Sequence, residues 1–216
     1  MRGAWVAAVI GLPLWAATAL AQADLKLMHF GFDQAAQSVP RYAFDLYENG
    51  AGVYHQPADG QPAPPKAGGA IRVSAATLQV IFAAKDAVVA NRCGTKVKNV
   101  ADTGTKTLEY FSEGVKSACV FNYSDDAKVR DAASAFMSIA EMLRMGDQLA
   151  HERRFDRLGL DATLDSLTEE VKDSRAIEVQ NIAPVLQAIV GDEQLMERVR
   201  RKAGRLLEQS GAVPGN

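Results

Sequence analysis

Thr105-Lys-Thr-Leu-Glu-Tyr-Phe-Ser-Glu-Gly-Val-Lys-Ser-Ala-Cys-Val-Phe121, continuing as Asn122-Tyr-Ser-Asp-Asp126 into Ala127–Ala150, is the stretch whose reading decides the fold. Two runs of alternating residues, Lys106–Phe111 and Lys116–Tyr123, flank Glu113-Gly114, and that glycine supplies the positive φ of a tight hairpin turn. Counting outward from the turn sets Leu108 against Cys119 and Tyr110 against Ser117, with Phe121 on the same apolar face. Thr107, Glu109, Lys116 and Asn122 fall on the wetter face. Ser124-Asp125-Asp126 then offers a helix cap and places acids at the positive end of the helix dipole. Val129, Ala132, Ala133, Phe136, Ile139, Ala140 and Leu143 recur at three- and four-residue spacing, which predicts a long amphipathic helix lying on the Leu108, Cys119 and Phe121 face.

Upstream, the pattern predicts a first strand over Leu25–Phe32 and a hairpin of Arg41–Glu48 with Ala51–Gln56 around Asn49-Gly50. A two-residue turn there pairs Leu46 with Val53 and Phe44 with His55, making His55 a core-edge residue. Gln56–Gly69, rich in Pro, Gly and Ala, reads as an exposed loop. Ala70–Val73 reads as a short strand, Ser74 as an N-cap, and Ala75–Asn91 as one helix carrying Leu78, Ile81, Phe82, Val88 and Val89. Arg92–Gly104 is a polar connection. Beyond Gly146 the composition shifts to helix formers and charge. Asp161 is placed as a cap, Pro184 in a first turn, and Gly191-Asp192 before a last helix with Leu195, Val199, Ala203 and Leu206.

The expected fold is therefore α+β: an antiparallel sheet built from two hairpins, helices packed on one face, and a C-terminal helical extension. Its boundaries fall at 1–23 for a signal peptide, 24–146 for the sheet-and-helix domain and 147–216 for the extension. Met1-Arg2, the apolar run Ala4–Ala19, and the overlapping A-x-A sites Ala19-Leu20-Ala21 and Ala21-Gln22-Ala23 carry the signal-peptide reading; a retained anchor is the alternative. With 24 basic and 26 acidic residues, no net field favours nucleic acid. The expected compartment is periplasmic or secreted. There, Cys93 and Cys119, 26 positions apart, are expected to pair; the alternative is a buried thiol beside an unrelated surface one.

No catalytic constellation is complete in the sequence. His151-Glu152-Arg153-Arg154-Phe155 starts like H-E-x-x-H, but Phe155 replaces the second imidazole, so a zinc site loses a ligand. Gly104-Thr105-Lys106-Thr107 lacks the upstream glycine of a phosphate loop and opens a strand. No G-x-S-x-G elbow occurs, and no cofactor or metal is expected. Two basic clusters, Arg153, Arg154 and Arg157 and then Arg198, Arg200, Arg201, Lys202 and Arg205, read as solvated helix faces, with an anionic partner, met through Arg153, Arg154, Arg157, Arg198, Arg201 and Arg205, as the alternative.

The order of elements resembles that of uncharacterised exported bacterial domains, in which a strand, a hairpin turning at N-G or D-G, a helix, a second hairpin and a helix recur with a helical extension. The matching residues are Phe30-Gly-Phe-Asp33, Tyr42–Tyr54 around Asn49-Gly50, Thr105–Tyr110, Phe121-Asn-Tyr123, and Arg154-Phe-Asp-Arg-Leu-Gly-Leu160 in the extension. The resemblance implies a fold and no activity. The leading expectation is an exported, non-enzymatic binding or interaction module of the envelope, its partner another envelope protein. The rivals are a hydrolase using carboxylates and a peripheral binder of anionic surfaces through the Arg-rich helices.

Overall fold

The computed structural model describes residues 25–35, 40–56, 69–99 and 101–210. The expected signal peptide and most of the Pro-rich loop lie outside the described residues. Six antiparallel strands form one sheet: β1 (Leu27–Asp33), β2 (Arg41–Tyr47), β3 (Ala51–His55), β4 (Gly69–Arg72), β5 (Thr105–Ser112) and β6 (Val115–Phe121). Their spatial order is β4-β3-β2-β1-β5-β6, so β1 sits at the centre and joins the two hairpins.

The decisive hairpin has the register its turn dictates. Glu113 and Gly114 both take positive φ (52° and 74°), and Leu108 pairs with Cys119 and Tyr110 with Ser117. The Asn49-Gly50 hairpin differs from expectation by one residue. Its turn is closed by Gly50 N donating to Tyr47 O, and the chain passes through Glu48, Asn49 and Gly50 before β3 begins. Gly50 has φ +82°, and a Cβ there would lie 2.7 Å from Val73 O. A three-residue connection with a left-handed glycine replaces the two-residue one. Phe44 therefore pairs with Tyr54 and Leu46 with Gly52. Because side chains alternate, that single step moves Val53 and His55 to the other face of the sheet.

Phe30, Phe44, Leu46 and Leu108 point to the inner face and are fully buried. They meet α3 (Ala127–Phe155), whose Phe136 stacks on Phe30 at 4.8 Å and touches Phe44 at 5.4 Å. Asp126 caps α3 by accepting from Lys128 N and Val129 N. The segment expected as one helix is two: α1 (Ala75–Phe82), capped by Ser74 as its position predicts, and α2 (Lys85–Val89). The break at Ala83-Ala84 lets α1 lie on α3 while α2 turns onto β5 and β6. The end of α2 is a Schellman turn, with Asn91 at φ 50° and Arg92 N donating to Ala87 O. It delivers Cys93 to Cys119, and the two are disulfide-bonded with Cα atoms 6.0 Å apart. The following connection is irregular, as expected, and Asp125 and Asn122 tie it down through Thr95, Lys96 and Thr103. Lys106 is buried; its ammonium donates to carbonyls of Thr103, Gly104 and Asn122 and lies 5.6 Å over the Phe32 ring. Burial holds its pKa below the ordinary lysine value.

Helix α3 runs unbroken for 29 residues across Gly146, so the compositional boundary falls inside a helix. Its second half joins α4 (Leu160–Lys172), a 3-10 turn (Val179–Ile182), α5 (Ala183–Val190) and α6 (Glu197–Gln209) around a second core containing Leu149, Leu164, Leu186 and Leu206. The expected cap Asp161 lies within the first turn of α4 instead, because the helix starts two residues earlier, with Gly159 at the cap position. A polar latch joins this half to the sheet. Glu178, at φ 66°, accepts from Ser74 N, Ser74 Oγ, Thr77 Oγ1 and Gln180 Nε2. Asn181 uses both ends of its amide on the backbone of Arg72, which closes the outer edge of β4.

Candidate functional site

The outer face of the sheet carries no helix among the described residues, because all the buried strand positions alternate toward the inner layer. On that face, His29 of β1, Asp45 of β2 and His55 of β3 come together. His29 and Asp45 are directly paired across the ladder, and His55 sits diagonally from Asp45 through its partner Ala43. His29 Nδ1 lies 2.7 Å from Asp45 Oδ1, and His55 Nε2 lies 2.9 Å from Asp45 Oδ2. Both contacts are hydrogen bonds when the N–H sits on Nδ1 of His29 and on Nε2 of His55. One carboxylate thus fixes two rings. The bond from His29 is the main reason that Asp45 titrates below the usual carboxylate range, with His55 adding to it and burial opposing.

This tautomer choice leaves the Nε2 lone pair of His29 without a hydrogen-bond donor among the described residues, over Gly31, where an added Cβ would stand 3.8 Å away. His55 Nδ1 is enclosed without a partner among the described residues. On the other flank of His29, Glu109 is its cross-strand neighbour on β5 and pairs with Lys116 at 2.7 Å. Lys116 also lies over the Phe111 ring at 5.4 Å. Side-chain exposures of 23–33% put the trio at the surface, half-covered by its own strand neighbours.

Among the described residues neither ring is hydrogen-bonded to a hydroxyl or thiol. Both rings aim their inner nitrogens at the carboxylate, and among the described residues no group of three or more His, Cys, Asp or Glu is arranged to hold a metal ion. Two open depressions among the described residues, one lined by Asp33, Asp102 and Thr105 and the other by Arg92, Lys96 and Asp125, include no histidine and no member of the trio.

The arginines singled out from sequence divide into two sets. Arg153 meets Asp192 at 3.3 Å, Arg198 meets Asp161 at 3.2 Å, and Arg201 lies 3.8 Å from Glu197. Arg157 donates to Gln194, a neutral amide, at 2.8 Å. Arg154 and Arg205 are exposed and have no acidic partner among the described residues. The six do not converge. Asn122, within a glycosylation-type tripeptide, commits its amide to Thr103 and Ala101. The trio itself escaped sequence reading because the assumed register turned His55 inward. No local signal separates the two turns, because Asn49-Gly50 suits both; in the structure only Gly50 of Glu48-Asn49-Gly50 takes positive φ.

No known protein-family model and no curated protein matches this chain. Among the described residues no helix is long and apolar enough to cross a membrane.

Proposed function

We propose that this chain is an exported, non-enzymatic binding module that docks another envelope protein on the open face of its sheet, centred on His29, Asp45 and His55. The observation that carries the reading is an uncovered strand face whose polar groups are already fixed. Two imidazoles share one carboxylate there, so the surface presents a set geometry without first ordering flexible side chains. Export is supported by the apolar run with its A-x-A sites at the N-terminus and by the Cys93–Cys119 bridge, which suits an oxidising compartment.

Photo-crosslinking in intact cells tests it. A crosslinker at Val53 or Thr107 is expected to yield one defined protein adduct that disappears in the His29→Ala, His55→Ala double variant. A crosslinker at Val80, exposed on α1, is expected to give none of that adduct. Identical adducts from both faces would overturn the assignment. Hydrolytic activity in the purified protein that Asp45→Asn abolishes would establish the enzyme reading instead.

A further inference from the structure

At the far end of α3 from its N-cap, about 43 Å along the helix axis, the chain turns through Phe155-Asp-Arg-Leu-Gly159 into α4. Phe155 is 74% exposed and Leu158 is 83% exposed, the two largest values among the big apolar side chains described. Scattered single apolar residues on a surface need no explanation, but these two share one turn. The Phe155 ring rests against His151 at 4.9 Å. The surrounding acids are largely engaged elsewhere. Asp192 faces Arg153, Asp161 faces Lys202 and Arg198, Glu197 faces Arg201, and Asp156 folds back on Gly159 N. Arg154 and Arg157 flank the two apolar side chains with no ion pair among the described residues; Asp156, exposed between them, is the one acid in the turn, and Arg157 donates to Gln194 of the neighbouring loop.

We propose that this turn is a contact point for an anionic lipid bilayer, with Phe155 and Leu158 entering the interfacial layer and Arg154 and Arg157 meeting the phosphates. Charge complementarity selects the occupant: two cations without acidic partners, beside two protruding apolar groups, match a surface that is negative outside and apolar just beneath. Burial of a Phe or Leu side chain strengthens partitioning by tenfold or more each, and an arginine near an anionic surface adds about fivefold. The device is separate from the sheet face and holds whether or not a protein partner docks there.

The test is co-sedimentation of the full purified chain with vesicles of phosphatidylglycerol mixed with phosphatidylcholine, and with vesicles of phosphatidylcholine alone. All variants keep the same N-terminal sequence, so differences report the turn. Wild type is expected to bind the anionic vesicles preferentially. Phe155→Ser with Leu158→Ser is expected to weaken that binding at least a hundredfold, and Arg154→Gln with Arg157→Gln at least tenfold, both with unchanged thermal midpoints. Arg201→Glu with Arg205→Glu is expected to bind as wild type. In a Phe155→Trp variant, brominated lipid should quench emission beyond any quenching measured on wild type of the same N-terminal sequence. Equal binding by wild type and the serine variant would overturn the proposal. So would loss confined to the Arg201 and Arg205 variant, or concentration-dependent self-association that Leu158→Ser removes in the absence of vesicle binding.

Discussion

Replacing Gly146 by alanine is the sharpest probe of how the two halves are joined. In an exposed helix interior, Gly→Ala stabilises by about 1 kcal/mol, because alanine loses less backbone entropy. At this position the new Cβ would press into Ile182 Cγ2 and stand 3.1 Å from Ile182 Cβ. Ile182 is buried at the end of the 3-10 turn next to the latch, so it has little room to withdraw. Overpacking of this kind costs about 1–3 kcal/mol, which outweighs the propensity gain and leaves a net loss of about 1 kcal/mol. For a chain of this size that is a drop in Tm of about 2–4 °C. Ile182→Ala alone should cost about 2–4 kcal/mol through its cavity. In the double variant the methyl introduced by Gly146→Ala enters the vacated space and the helix gain is realised. The pair should then be more stable than Ile182→Ala alone, giving a coupling of about 2 kcal/mol in a double-mutant cycle read by chemical denaturation. Additive effects, or a Gly146→Ala variant that gains stability by itself, would refute the close approach of α3 to the turn.

Glu178→Gln replaces an acceptor of four hydrogen bonds by an amide that must turn donors toward donors; a loss of about 2–4 kcal/mol is expected, together with faster amide exchange at Thr77 and in the 3-10 turn. Reduction of the Cys93–Cys119 bridge opens a loop of 26 positions and should cost about 3–4 kcal/mol, seen as a lower Tm in wild type and as no change in Cys93→Ser on adding reductant. Asp45 titrates below the unfolded carboxylate value, so its contribution is complete above that value and is lost as pH falls through its folded pKa. Wild type should therefore lose stability more steeply than Asp45→Asn in acid, below about pH 4, and the two denaturation curves should approach one another there.

Much of this fold is legible wherever local chemistry and the tertiary environment agree. Glu113-Gly114 fixes a hairpin register by turn type alone, and the stripe from Val129 to Leu143 leaves a single way to bury itself. The Cys93–Cys119 pairing follows from the same parity. Legibility fails where a local signal admits two geometries. Asn49-Gly50 serves a two-residue or a three-residue turn, and the choice is made by Val73 O and Leu78 packing against Gly50, which are contacts from distant sequence. That one-residue choice moved His55 across the sheet and hid the trio. The break at Ala83-Ala84 is likewise invisible in an alanine-rich helical pattern, because it is imposed by what α1 and α2 cover. Gly146 read as a boundary from composition, yet it is a point of close approach that needs the absence of a side chain.

The docking role of the open sheet face is tested most directly by hydroxyl-radical footprinting of the protein in intact cells against the purified chain. Val53 and Phe111 on the outer face are expected to be protected in cells, while Val80 and Val89 on the helical side, 42% and 57% exposed, react equally in both settings. Equal reactivity of Val53 and Phe111 in cells and in purified protein would contradict the account.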